Sequence, residues 1–138
     1  MRRPFPLLAA LPPSLRGVVL DFEWSHEALW ALDLPVVCVP LAALRRQLAL
    51  PLWSHAGRPF AVTPAAVGAA PRLYRAHYAR TLAADLAHPL DTLWRPGAPP
   101  VVLDGVHRLL RAELLGRRAV AVRRLGDEQL ATIAARGA

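Results

Sequence analysis

The sequence contains no lysine, because all 17 of its Lys and Arg residues are arginines. This absence excludes a Walker-type phosphate loop, a Schiff-base enzyme and a kinase with a strand lysine. Cysteine occurs once, as Cys38, so an intrachain disulfide and a thiolate metal cluster are also excluded. Because Cys38 lies in the apolar run 36–39, we predict that it is a buried strand residue.

Long hydrophobic runs are absent as well. None reaches the ~18 residues of a membrane span, so we expect no membrane partner. The first residues are basic and then apolar, as in an export signal, but four prolines within residues 1–16 interrupt that stretch. We predict an extended arm over residues 1–16, a single domain over residues 17–138 and a cytoplasmic location.

The composition that remains is that of a folded domain with a positive charge. Apolar residues make up 54% of the 138 residues, and the formal net charge is +7. This balance favours anionic partners, and arginine favours bidentate contacts with phosphate or carboxylate. A general preference for arginine over lysine would give the same total.

The alternation of apolar runs with turn residues predicts one mixed α/β (α+β) domain, a small sheet with surrounding helices. We predict residues 51–62 to be irregular and strands 90–94 and 101–103 to form a hairpin. The other predicted strands are 17–20, 34–39 and 119–125. The predicted helices are 25–32, 41–48, 64–69, 71–86, 106–115 and 128–135, the last of them capped by Asp127.

The most informative stretch is the strand-to-helix turn that begins at Asp104 and Gly105. We predict that Asp104 caps the helix, with His107 and Arg108 in the first turn and Arg111 one turn further on. The free amides and the dipole of a helix start attract phosphate, and the carboxylate could hold a metal ion. The same spacing also fits a simple cap with solvated arginines, so both interpretations stay open.

Polar side chains also follow helical spacing over residues 74–85, where they form either an exposed surface or one wall of a cleft. The members of this face are Tyr74, His77, Tyr78, Thr81 and Asp85, with Arg80 at its edge. The remaining acidic cluster, which comprises Asp21, Glu23 and Glu27, could supply a general base or form a solvated loop.

Segment 101–125, VVLDGVHRLLRAELLGRRAVAVRRL, resembles the signature of the ParB/sulfiredoxin superfamily: an aliphatic strand, a D-G-x-H-R turn, a helix, a glycine and another strand. Residues 37–44 are similar to its opening strand and helix. His77-x-x-Arg80, residues 84–86 and Pro89 resemble the segment before the signature in small stand-alone members. The resemblance covers about residues 34–125.

This resemblance implies a ParB/sulfiredoxin-like fold that binds ATP, ADP or CTP, usually with Mg²⁺, at the turn. By this carry-over the phosphate and metal group comprises Asp104, Gly105, Val106, His107 and Arg108. Sulfiredoxins have a reactive cysteine where this chain has Val106, so sulfinic-acid repair is not expected. Only about a dozen residues follow Leu125, so we do not expect a sequence-specific DNA clamp.

The leading hypothesis is therefore a phosphoryl-transfer enzyme, a small-molecule kinase or NTPase. Asp104, His107, Arg108 and His77 would be catalytic, Arg111 would assist phosphate binding, and His77, Arg80 and Asp85 would meet an unknown small-molecule acceptor. Arg108 and His107 would neutralise developing charge. One alternative is a non-catalytic nucleotide or DNA-binding module that uses the pairs 117–118 and 123–124, and another is a ParB-like nuclease.

Overall fold

The structure, a computed structural model, describes residues 1–136 and has a mixed α+β fold. The helices in this range are α1 (His26–Trp30), α2 (Pro64–Ala69), α3 (Arg75–Ala83), α4 (Val106–Leu114) and α5 (Asp127–Ile133). The strands are β1 (Val36–Pro40), β2 (Trp53–His55), β3 (Arg58–Val62), β4 (Leu90–Leu93), β5 (Val101–Asp104) and β6 (Ala119–Leu125). In the same range, no helix combines the length and apolar character needed to cross a membrane.

The main sheet has four strands in the order β1-β6-β4-β5. Strand β6 pairs antiparallel with β1 and parallel with β4, and β4 pairs antiparallel with β5, which confirms the predicted hairpin. Every residue of β4 is buried, as expected for an interior strand. Strands β2 and β3 form a separate two-stranded sheet.

Several helix boundaries lie where the sequence predicts them, because capping residues fix them locally. The Ser25 hydroxyl accepts a hydrogen bond from the amide of Ala28 at the start of α1. Thr63 caps α2 in the same way, and Pro64 occupies the first turn. Helix α4 ends before Gly116, whose φ of +71° suits the left-handed conformation of a helix C-terminus.

The sheet separates two hydrophobic clusters. Neighbouring residues Val101 and Val102 belong to different clusters, because successive side chains of a strand point to opposite faces. The first cluster contains Leu109 of α4 and Val67 of α2. The second contains residues of α1, α5 and the N-terminal segment, including the fully buried Leu15. Helices α1 and α4 therefore cover opposite faces of the sheet.

The N-terminal segment lies beside the end of the described chain. The Arg3 amide donates to the Ala135 carbonyl at 2.9 Å, and the Glu23 amide donates to the Arg3 carbonyl at 2.7 Å. A salt bridge of 3.3 Å also joins Arg3 to Glu23. These contacts attach the segment to the chain just after α5 and just before α1, whereas the division into arm and domain stays a prediction.

Four of the predicted elements are wrong. Residues 17–20 form a turn and an isolated bridge between Val19 and Arg16 rather than a strand. Residues 51–62 contain the β2–β3 hairpin, whose turn places Ala56 and Gly57 at φ of 51° and 77°. The predicted helix 41–48 is two short 3-10 turns, and α3 is shorter than predicted, so Asp85 lies beyond its end. Helix α5 is present, but its predicted cap is wrong, because the helix begins at Asp127 with Gly126 as the cap, and the Gly126 amide donates to the side chain of Gln129.

The prediction that Cys38 is buried is also wrong, because its side chain is exposed. Strand β1 is an edge strand whose residues alternate between two environments. Val37 and Val39 pack against the first hydrophobic cluster. Cys38 lies between them in the sequence, so its side chain points away from that cluster.

Candidate functional site

A cleft of about 730 Å³ lies where β5 meets α4. Contributions come from α1, the segment between α3 and β4, the sheet and the first turn of α4. The lining residues are Trp30, Ala84, Asp85, His88, Pro89, Asp91, Asp104, Gly105, His107, Arg108 and Arg123.

The turn at the cleft differs from the prediction in its cap. Gly105, with φ of +116°, is the N-cap of α4, and Asp104 is the last residue of β5. A Cβ on Gly105 would come within 3.0 Å of the Leu90 side chain and 3.1 Å of the Arg108 guanidinium. The prediction that Asp104 caps the helix is therefore wrong, because the chain reverses at a position that only glycine fits without strain.

The carboxylate of Asp104 instead joins α1 to α4. The indole Nε1 of Trp30 donates to Oδ2 of Asp104 at 2.9 Å, and the Arg108 guanidinium lies 3.5 Å from the same oxygen. Trp30 is 58% exposed although its N–H is bonded. Trp30 is not among the predicted site residues, because it is 74 residues from Asp104 in the sequence.

The two predicted phosphate-binding arginines of α4 have different positions. Arg108 lies over Gly105 and donates to the carbonyl oxygens of His88 at 3.1 Å and Pro89 at 2.6 Å. Arg111 donates to the Ala84 carbonyl and does not line the cleft. Both arginines hold the segment after α3 against α4.

A second ion pair lines the cleft, and neither of its residues is among the predicted site residues. Arg123 Nε donates to Asp91 Oδ1 at 2.6 Å, and its other nitrogens donate to the carbonyls of Leu32 at 2.6 Å and Leu29 at 2.8 Å. Burial raises the pKa of Asp91, and the negative charge of Asp104 raises it further, whereas Arg123 opposes the shift. No short motif in the sequence marks either residue as part of a site.

Two predicted residues, His77 of α3 and His107 of α4, meet beside the cleft. Their Nδ1 and Nε2 atoms are 3.3 Å apart, and both rings stack on Trp53. Burial, followed by the positive charges of His77 and Arg80, lowers the pKa of His107 to about 4. The lowered pKa favours the neutral form of His107 at pH 7, whereas the predicted neutralisation of developing charge requires the protonated form.

The residues predicted to meet the acceptor do not lie together. Asp85 lines the cleft, and His88 lies 3.7 Å from its carboxylate. Arg80 is exposed on α3 and, like His77, does not line the cleft. The structure therefore places Asp85, but not the whole face predicted for α3, at the cleft.

The proposed acidic bases lie elsewhere. Glu23 pairs with Arg3, and Asp21 lines a second cavity of about 630 Å³ near the N-terminal segment. Glu27 lies in the first turn of α1 and does not line the cleft. None of the three is in position to act on a ligand of the cleft.

The basic pairs suggested for DNA binding also separate. Arg117 and Arg118 are exposed, but Arg123 is turned inward toward Asp91. The Arg124 guanidinium stacks over the ring of Trp94 at 4.2 Å. The pair 123–124 therefore does not form a continuous basic patch.

Comparisons with protein-family models, with curated proteins and with solved structures find no match to this chain. The ParB/sulfiredoxin resemblance consequently stays a prediction based on the residues of segment 101–125.

Proposed function

We propose that the cleft binds a nucleotide, ATP, ADP or CTP, and that the protein transfers a phosphoryl group to a small-molecule acceptor. The observation that carries this proposal is the pairing of the α4 start with the exposed indole of Trp30 in one cleft of about 730 Å³. This volume is in the range of small-molecule pockets, about 300–1,000 Å³. Amides suit phosphates and an indole face suits a base, so the two groups match the two ends of a nucleotide.

The phosphates would lie against the backbone of the first turn of α4. The first amide of the turn with an intrahelical partner is that of Leu109, which donates to the Gly105 carbonyl at 2.9 Å. The amides of residues 106–108 precede it, and amides at this position have no partner within a helix. The Leu90 and Arg108 side chains cover the Cα of Gly105, so a phosphate would contact the amides of residues 106–108 rather than Gly105 itself.

The charges of the cleft favour a nucleotide that arrives with a divalent cation. Three carboxylates line the cleft together with two arginines, and both arginines already bond to protein oxygens. The arginines alone would therefore not offset the charge of a triphosphate. Magnesium, when bound, supplies positive charge that stabilises the transferred phosphoryl group.

Asp104 is the residue that would hold this ion. Both of its contacts fall on Oδ2, which leaves Oδ1 for a metal. Residues 1–136 contain no cluster of three potential ligands. One carboxylate with phosphate and water oxygens is a common arrangement for Mg²⁺ and fits these residues.

Thermal unfolding with ATP, ADP, CTP and GTP, with and without Mg²⁺, tests the proposal. A nucleotide at 100 times its Kd adds about 2.7 kcal/mol of stability, and we expect this increase to require Mg²⁺. No change in Tm with any nucleotide would contradict the proposal.

Variants of Trp30 test the position of the base. Because stacking contributes about 1–3 kcal/mol per base, we expect Trp30→Ala to weaken binding by about 5- to 150-fold. Trp30→Phe is the matched control, which keeps a ring but loses the bond to Asp104. Asp104→Asn should weaken the dependence on Mg²⁺. Unchanged nucleotide binding in Trp30→Ala and Asp104→Asn would place the site elsewhere.

A further inference from the structure

Two histidines from different helices lie side by side on one tryptophan. The rings of His77 and His107 are tilted by 7° and 11° from the indole plane of Trp53, with centroids 4.7 and 4.1 Å away. The two imidazole centroids are 5.5 Å apart, which is too short for rings on opposite faces of the indole. Both imidazoles therefore lie on the same face and meet edge to edge.

The hydrogen bonds of the pair fix the position of each proton. His77 Nε2 lies 2.7 Å from the carbonyl oxygen of Ser54, which only accepts, so this nitrogen carries a hydrogen. In neutral His77 the other nitrogen, Nδ1, must then accept. Its partner at 3.3 Å is Nε2 of His107, which consequently donates. The remaining nitrogen, Nδ1 of His107, is left as an acceptor.

This remaining nitrogen can be reached from outside. His107 lines the cleft, and the only hydrogen bond of its side chain within the described part of the chain is the one to His77. In that same part of the chain, no side-chain nitrogen or oxygen is both buried and without a partner. Nδ1 of His107 is therefore accessible to solvent or to a ligand.

We infer that His107 and His77 form a two-histidine proton relay that is the base of the cleft. This inference rests on the proposed function and identifies the acceptor as a hydroxyl compound. The O–H bond of the acceptor breaks, and its proton binds Nδ1 of His107. The proton on Nε2 of His107 passes to Nδ1 of His77. The electron pair stays on the acceptor oxygen, which bonds to the transferred phosphorus as the bond to the leaving nucleoside diphosphate breaks.

The surroundings explain why the charge rests on His77. The charges that act on His107 are those of His77 and Arg80, both on α3, and burial further favours its neutral form. On α4 itself, Asp104 and Arg108 pair with each other. Trp53 of the β2–β3 hairpin stacks on both rings, but the carbonyl oxygen of Ser54 in the same hairpin contacts His77. This acceptor stabilises an imidazolium ion at His77.

Nitrogen NMR of the ¹⁵N-histidine-labelled protein distinguishes this relay from two independent histidines. Above about pH 8, where histidine is neutral, we expect a hydrogen on Nε2 of both rings. On acidification His77 should gain a second hydrogen while the hydrogen of His107 moves from Nε2 to Nδ1, in one step seen at both rings. Independent titration, or an imidazolium at His107 while His77 is neutral, would overturn the inference.

Variants assign the signals and supply controls. In His77→Gln we expect the step at Nδ1 of His107 to be lost from the pH range of the wild-type step. His26→Gln, which removes an exposed imidazole on α1, should leave it unchanged. If His77→Gln does not fold, the wild-type titration alone decides the question.

The nucleotide experiment on the same sample separates the two proposals. A coupled step without any Tm shift from nucleotides would support the proton relay but contradict its role in phosphoryl transfer. Nucleotide binding with independent titration of the two rings would contradict only the relay.

Discussion

Replacing Arg123 tests how much the buried ion pair of the cleft contributes to stability. Its guanidinium bonds to the carboxylate of Asp91 and to the carbonyls of Leu29 and Leu32 at the end of α1. The Asp91 side chain is only 5% exposed. Arg123→Ala would leave a buried carboxylate without its ion-pair partner and two carbonyls without their donor.

The expected cost follows from these contacts. Removing one partner of a buried ion pair destabilises a protein by about 3–5 kcal/mol. A whole domain has a stability of only about 5–15 kcal/mol, so Arg123→Ala should be marginally folded. The matched control is Arg124→Ala, because Arg124 stacks over Trp94 in an exposed position. Such contacts are worth about 0.5–1 kcal/mol.

Urea unfolding followed by tryptophan fluorescence at about pH 7 and about pH 4.5 measures both effects. Burial already raises the pKa of Asp91, and the loss of Arg123 removes a cause that opposes this shift. Since the pKa of Asp91 is higher in the folded than in the unfolded protein, the variant loses stability as the pH rises from the unfolded to the folded pKa. The unfolding free energy that Arg123→Ala loses relative to the wild type should therefore be larger at about pH 7 than at about pH 4.5. A loss no greater than that of Arg124→Ala, or equal at both pH values, would refute the reasoning.

Three further predictions concern separate residues. Gly105→Ala should cost about 1–3 kcal/mol of unfolding free energy in thermal denaturation, more than Gly97→Ala, where no atom lies within 4 Å of the added Cβ; equal losses would contradict the close approach. Because the pKa of His107 is lowered from 6.5 to about 4, stability should fall as pH drops through that interval. After solvent screening, urea unfolding should show about 1–2 kcal/mol of pH dependence that His107→Gln lacks. The exposed thiol of Cys38 should react rapidly with a thiol reagent in the folded protein, and protection until unfolding would contradict the edge position of β1.

Sequence signals that lie within a few residues of one another were sufficient to predict part of the fold. Helix α4 lies within a residue of its prediction, because Gly116 and the spacing of Leu109 and Leu110 act within a few residues of each other. The β2–β3 hairpin was missed for the opposite reason. Its turn uses Ala56 with a positive φ before Gly57, rather than the Asn-Gly or Asp-Gly pair that marks such turns in sequence.

The cleft was only partly predictable for the same physical reason. The turn at Gly105 is visible in the sequence, because a strand, a glycine and a helix follow one another there. Trp30, Asp91 and Arg123 reach the cleft through the sheet and the packing of α1, and no short motif contains any of them. The stack on Trp53 likewise depends on the hairpin, so the sequence could propose His77 and His107 without showing that they touch.

The Asp104 carboxylate, at the end of β5, contacts Trp30 of α1 and Arg108 of α4, and these two helices cover opposite faces of the sheet. A molecule seated in the cleft would therefore touch both halves of the protein at once. Its binding should slow amide hydrogen exchange in α1 as well as in α4, because local opening of either helix would expel the occupant.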